Sequence, residues 1–569
     1  MYIDVVPNRG SKPTVLLREG WRQDGKTRLR TLANLSDWPE SKIENLRRLL
    51  KGEALVSPGE AFQIERSRPH GHVAAILGTA KKIGLDTLLA SRPCRERDLV
   101  MAMIAERLIH PCSKMATARL WHATTLAEEL AVEDCAETDL YQAMDWLIDR
   151  QGRIEKKLAT RHFAEGALVY YDISSSYYEG RTCPLAKYGH SRDGKRGLPI
   201  IVYGVLTDAE GRPAALQVYP GHTGDPKTVP DQVDKLRRGF GLQRVVLVGD
   251  RGMLTQVQID QLKEHPGLGW ISALRYESIR RLAASGALTW SALESTKLAE
   301  VSSPDFPGER LIVCFNPDLA KDRRRTRDEL LAATREKLQK IAKEVERRKK
   351  TPLTASEIGR KVGLALKKYK MGKHFEIKIT DGFFSFSQKE ASIGRERDLD
   401  GIYVIRTSET AERLSDQDVV RGYKALAKVE RVFRGLKSLD IQVRPIWHRE
   451  ERRVRCHIFI CILAYYLEWH LRRALAPLLF EDEDKERERL HRHPVDMAES
   501  SASAKRKKQS KKNGAGLPVH SFETLMAELA AMTKNRCRVK SDPAAPAFDQ
   551  VSLPTQIQRQ AFQYLELFS

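Results

Sequence analysis

Two aspartates stand where carboxylates can do chemistry. Asp172 lies inside ALVYYDISSSYYE, whose β-branched and aromatic density reads as a buried strand. An unpaired carboxylate there costs several kcal/mol to bury. Asp250 closes RVVLVGD, an apolar run of the kind covered on both faces, at the strand end where open α/β sheets build sites. Two such acids on neighbouring strands repel unless a divalent cation neutralises them, and oxygen donors suit Mg²⁺ or Mn²⁺. Each also has a plain reading, since Asp172 could cap a turn through the following serines and Asp250-Arg251-Gly252 could open one. Asp225, in GHTGDPKT, reads as a helix cap. Asp193, in the basic loop HSRDGKRG, reads as solvated.

A third acid sits on a helix. YKALAKVERVFRGLKSLD, Tyr423 to Asp440, places Ala425, Val429, Val432 and Leu436 on one side at helical spacing. Tyr423, Glu430, Arg434 and Lys437 line another, at spacings of seven, four and three. The simplest account of that stripe is an i,i+4 surface pair of Glu430 with Arg434, worth ~0.2–0.5 kcal/mol.

The elements around these acids follow an order. After the Asp172 strand come LPIIVYGVLTD and PAALQVYPG, joined by a hairpin-like turn. The helix TVPDQVDKLRRGFG, the strand RVVLVGD, the helix MLTQVQIDQLKEH and the strand GWISALR follow. Three strands, helix, strand, helix, strand is the order of a ribonuclease-H-like fold, a mixed α/β sheet with helices on its faces. Residues 1–40 read as short strands (YIDVVPN, PTVLLREGWR, TRLRTLANL), and 41–164 as a helical domain that could touch DNA ends.

YDISSSYYEG, YGHSRDGKRGLP, YPGHTGDPKT and VLVGDRG resemble the core of insertion-sequence DDE transposases. The Tyr423–Glu430–Lys437 spacing resembles the Y-x2-R-x3-E-x6-K signature of the IS-four superfamily, with Leu426 in place of the arginine. The N-terminal part is similar to its IS-sixteen-thirty-four-like members. The resemblance implies that Asp172, Asp250 and Glu430 form a triad holding two Mg²⁺ ions, for which Mn²⁺ can substitute. It implies that Tyr423 and Lys437 hold DNA phosphates; Arg251, beside Asp250, is a further candidate, and Arg434, one turn after Glu430 on the same stripe, could supply the missing cation. The implied activity is cleavage at transposon ends and strand transfer into target DNA by a cut-and-paste route. Its partner is double-stranded DNA, both terminal inverted repeats and target, bound by a homodimer or larger assembly. A metal-dependent nuclease of the same fold, or a domesticated protein that binds DNA without catalysis, are the competing readings.

Glu430 follows Asp250 by more than twice the interval between the two aspartates, so residues 276–410 read as an α+β insertion between core parts 165–275 and 411–480. That insertion offers ERLIVCFNP as a strand, a charged helix from Arg327 to Lys350, another over Ser356–Tyr369, and HFEIKITDGFFSFS and GIYVIRTS as paired strands. The cluster Lys321–Arg327 could grip DNA. Arg444, Arg452, Arg453 and Arg455 precede an apolar helix and could line a DNA path. In the C-terminal region 481–569, residues 499–516 read as a flexible basic loop.

The chain has 569 residues, a formal charge of +22 and 41% hydrophobic residues, which excludes a disordered chain and favours a polyanionic partner. Its eight cysteines include no Cys-x-x-Cys pair, and His448, His457 and His470 meet no further soft ligand, which argues against zinc. The start lacks a signal peptide, and the apolar run Cys456–Tyr466 is too short to span a bilayer. These features point to a reduced, cytoplasmic protein of bacterial type, nucleoid-associated when bound to DNA.

Overall fold

The apolar runs between Ala167 and Ala273 assemble into five consecutive strands that reach one edge of an eight-stranded sheet. The computed structural model describes residues 1–53, 61–286, 297–438, 441–540 and 544–567. The strands are β1 (Leu168–Tyr177), β2 (Ile200–Thr207), β3 (Pro213–Pro220), β4 (Val245–Val248), β5 (Leu268–Ala273), β6 (Leu298–Val301), β7 (Arg310–Phe315) and β8 (Ile402–Thr407). Their order across the sheet is β6-β7-β8-β5-β4-β1-β2-β3. β1 pairs antiparallel with β2 and parallel with β4, and β4 pairs parallel with β5. The five strands β3-β2-β1-β4-β5 therefore have the mixed, ribonuclease-H-like arrangement expected, and β1, β2 and β4 are buried nearly throughout.

The expected insertion is part of this sheet at both its ends. β8 pairs antiparallel with both β5 and β7, so GIYVIRTS does not pair with HFEIKITDGFFSFS. The latter forms its own hairpin, Phe375–Thr380 against Phe383–Gln388. Exposure explains the difference: β8 is covered on both faces, whereas every second residue of Phe375–Thr380 after the first is exposed. Between β7 and β8 the chain leaves the sheet as α3 (Pro317–Arg347), ten residues earlier than the charge pattern suggests. Asn316 caps it, accepting from the Leu319 amide at 2.9 Å, and a proline fills its first turn. Arg327 is not a free DNA contact; it is buried against Asp400 at 2.5 Å. The segment has its own core of Leu331, Leu338, Val345, Ile358, Val362 and Phe375.

The 423–440 stretch is two helices. α4 (Asp416–Lys424) ends and α5 (Leu426–Lys437) begins around Ala425, whose ψ of −10° flattens the turn between them. Leu439 and Asp440 lie outside the described residues. Arg310 of β7 ties α4 down, pairing with Asp416 at 2.5 Å and donating to the carbonyls of Glu409 and Leu414. α6 (Glu451–Leu475) is buried along most of its length and packs on α1 (Arg95–Ile109) and α2 (Glu137–Ile148). That burial accounts for the apolar run Cys456–Tyr466. Among the described residues no helix is long and apolar enough to cross a membrane.

The helices after residue 70 belong to the same compact unit as the sheet, residues 70–531 and 554–569, rather than to a separate 41–164 domain. The second unit joins residues 1–69 to 532–553. It contains the expected N-terminal sheet, Tyr2–Val6, Thr14–Gln23 and Lys26–Asn34, followed by the helix Glu40–Leu50. It also contains a sheet of Phe62–Pro69, Thr533–Val539 and Phe548–Val551, in which the C-terminal region returns to the N-terminal one. The basic run 499–516 is not a loop. Ala502–Ser510 is a helix capped by Ser501, and Lys507 buries its ammonium on the carbonyls of Ala476, Leu479 and Glu481 and on Glu483.

Candidate active site

Asp172 and Asp250 occupy matching places on adjacent strands. Tyr170 of β1 is the parallel partner of Val248 of β4, and each aspartate lies two residues further on. Parallel neighbours are ~4.8 Å apart, and residues two apart share a face, so the register brings both acids to one edge of one face. Asp172 takes the Ile173 amide on Oδ1 at 2.8 Å. Burial pushes its carboxyl up to about 7, and the charges of Asp250 and Glu430 add to that, while Arg192 opposes. The Arg192 guanidinium is engaged with Asp225 at 2.5 Å. Asp250 is exposed and does open a turn, its carbonyl accepting from the amides of Met253 and Leu254.

α4 and α5 cover the same face. A methyl added at Gly422 of α4 would lie 3.0 Å from Leu168 Cδ1 of β1, so the helix runs close to the strand at this glycine. From α5, Phe433 meets the Tyr203 ring at 5.9 Å and Lys437 Nζ donates to Ser174 Oγ at 2.7 Å. Ser174 lies two residues beyond Asp172 on its strand and pairs across to Tyr203. Val429, Val432 and Leu436 are fully buried and fasten the helix, as its apolar stripe suggests.

The polar stripe survives the break at Ala425. The Tyr423 hydroxyl, from α4, donates to Asp250 Oδ1 at 3.4 Å. Burial, then the Asp250 charge, pushes this phenol well above its usual range, so it stays a donor. Glu430 is exposed on α5, and its charge acts on both Asp172 and Tyr423. No ion pair joins Glu430 to Arg434, and both are exposed. Arg251 is exposed beside Asp250.

Other candidates are engaged elsewhere. Lys437 and Arg444 both pair with Asp193, Lys437 at 2.8 Å. Asp193 is therefore not solvated: its side chain is 1% exposed and also accepts the Tyr177 amide at 3.1 Å. Arg452 pairs with Asp149 at 2.5 Å and Arg453 with Asp145 at 3.2 Å, both of them acids on or next to α2. Arg455 pairs with Glu451 and donates to the Val218 carbonyl. These three arginines join α6 to its neighbours and do not line the triad. His457 donates from Nε2 to the Val443 carbonyl at 2.9 Å and lies within reach of the His448 ring, a packing role.

Three carboxylates with little compensating charge are a hard-oxygen set suited to Mg²⁺ or Mn²⁺. Their oxygens do not all fall within 4.8 Å of one another; among the described residues only Glu106, His110 and Cys112 do. That group lies beside Arg107 and the buried Lys114, whose charge opposes a cation.

The model of the transposase DDE domain matches residues 179–467, half of the chain, and so takes in Asp250 and Glu430 and starts just after β1. The model of the IS1634 family transposase N-terminal domain matches residues 3–60. No curated protein matches. Among solved structures, a piggyBac transposase synaptic complex with hairpin DNA aligns at 11% identity and a TM-score of 0.29, over 78% of this chain and 87% of that one. The chain thus belongs to the DDE-domain transposases, of the IS1634 type: divalent-metal-dependent enzymes that cleave DNA and transfer its strands.

Proposed function

We propose that Asp172, Asp250 and Glu430 are the catalytic carboxylates of this transposase and that they hold two Mg²⁺ ions, with Mn²⁺ able to replace them. The observation that carries this reading is the register of β1 on β4, which sets the two aspartates side by side under the helix of Glu430. Asp172, Asp250 and Glu430 would hold the cations, whose chemistry would be to activate the attacking oxygen and stabilise the leaving one in an in-line displacement at phosphorus. The chain's own groups prepare the site. Asp172 releases its proton near neutral pH and becomes a ligand. Tyr423 donates to Asp250 and fixes which oxygen of that carboxylate faces the cleft. Arg251 and Arg434, both exposed, receive the phosphates of the strand being cut and set its register without reading bases.

The DNA substrates are the terminal inverted repeats and a target duplex, brought together by at least a dimer in a cut-and-paste route. Asp172→Ala and Glu430→Gln are expected to abolish Mg²⁺-dependent cleavage of an end-containing duplex, with DNA affinity measured in Ca²⁺ staying near wild type. Cleavage that persists in either variant removes that residue from the triad. A strand-transfer assay with a pre-cut end and target plasmid separates transposition from simple nuclease action, since only the former yields joined product.

A further inference from the structure

The most tightly held carboxylate near the site is one that nothing in the reaction uses. Asp193 sits in the loop between β1 and β2, flanked by arginines, lysines and glycines. Its side chain is 1% exposed and takes Lys437, Arg444 and the Tyr177 amide. Lys437 is the last residue of α5, and the same ammonium donates to Ser174 on β1. Ser174 lies one same-face step, ~6.6 Å, from Asp172. Glu430 lies two helical turns, ~10.5 Å, before Lys437. The junction of α4 and α5 is thus held to Asp250 through Tyr423, and the far end of α5 to β1 through Lys437. Glu430 is carried between these two attachments.

Burying an ammonium and a guanidinium together needs an anion, and Asp193 is that anion. Burial lowers the Lys437 ammonium from its usual value while Asp193 works against the loss of its charge. The loop itself is stitched to β1: Ser175 Oγ accepts the Arg192 amide at 3.0 Å. A carboxylate at 193 therefore connects the loop, the start of the segment after α5 and the helix end to the strand of Asp172.

We infer that Asp193 is a positioning residue for the catalytic triad: through Lys437 it anchors the end of α5 to β1 and so sets the place of Glu430 relative to Asp172. This rests on the triad reading above. It gives Lys437 an internal duty in the DNA-free protein, in place of the phosphate contact its signature position suggests.

The test uses the full chain. Asp193→Asn keeps the shape and removes the charge. Its Mn²⁺ dissociation constant, read by electron paramagnetic resonance without DNA, is expected to rise about tenfold or more. The Mg²⁺ concentration for half-maximal cleavage should rise in parallel, with DNA affinity in Ca²⁺ within about twofold. Asp193→Glu, which retains the charge, should recover part of the loss. Adding Lys437→Met to Asp193→Asn should cost nothing further, because both act through one contact. Unchanged Mn²⁺ affinity in Asp193→Asn, or losses that add in the double variant, overturns the inference. Asp172→Ala is measured alongside: wild-type Mn²⁺ affinity there removes the triad reading itself, whereas its loss there with none in Asp193→Asn removes only this inference. Should Asp193→Asn fold poorly, the coupling of 193 and 437 in thermal unfolding of Asp193→Glu, Lys437→Arg and their double variant decides whether the contact exists.

Discussion

A carboxyl group titrating near 7 in the middle of a strand is a conflict between burial and charge, and Asp172 carries it. Its folded value of about 7 lies above the ordinary aspartate value near 3.8. The metal-free fold therefore prefers the protonated acid. That preference stabilises the protein fully below about pH 4 and is lost as pH rises through about 7. Asp172→Asn, neutral at every pH, should raise metal-free stability at pH 8 by something on the order of 3 kcal/mol and have little effect at pH 4. Denaturant unfolding in chelator at both values checks this. The proton also competes with the cation, so Mn²⁺ affinity should climb steeply from pH 6 to 7 and flatten above pH 8. Isothermal titration across that range reads the slope. Asp172 and Asp250 were legible in the sequence because an acid inside an apolar strand, or at its end, breaks a local pattern. Asp193 was not. Its partners Lys437 and Arg444 are far downstream, and nothing in HSRDGKRG distinguishes a buried counter-ion from a solvated one.

Strands and helices were recognisable from periodicity, and the element order pointed to the arrangement of the first five strands, but the neighbours of the later ones were not legible. The apolar run of β8 fits any central position in a sheet, and only the fold decides that it pairs with β5 and β7. Likewise the stripe from Tyr423 to Lys437 reads as one helix, yet the chain divides at Ala425, and the stripe holds because both halves pack on the one sheet. The packing of α5 sets a further constraint. At Gly435 an added methyl would lie 2.6 Å from Cε2 of Tyr465, a buried ring on α6. Alanine there gains ~1 kcal/mol of helix propensity but must displace that ring. Gly435→Ala should thus destabilise by about 1–2 kcal/mol net and lower cleavage more than DNA binding, since α5 carries Glu430. A thermal melt with parallel cleavage and filter-binding assays tests it. An increase in stability would mean the α5–α6 contact is looser than the packing indicates.

Over the whole molecule, charge is the property that composition gave most directly. A formal +22 on a chain that acts on DNA predicts binding dominated by counterion release. If six to ten phosphates are neutralised, affinity for an end-containing duplex should fall about 10³–10⁵-fold between 50 and 200 mM salt. A titration by fluorescence anisotropy gives the slope, and a nearly flat response would assign recognition to uncharged contacts. Where the charge resides is less legible. Lys507 and Arg327, both inside basic clusters, are folded inward onto carbonyls and an acid.

The segment that begins with α3 leaves the sheet at Phe315 and re-enters at Ile402, and those two residues are direct partners across β7 and β8. Its two ends are therefore only one strand spacing apart, ~5 Å. A segment hung from a single pair of adjacent strands, with a core of its own, is a branch grafted on a trunk. Its length and surface can be recast without altering the register of β1 on β4. The acids and the outer segment are thus free to answer to different demands, and a change in one need not disturb the other.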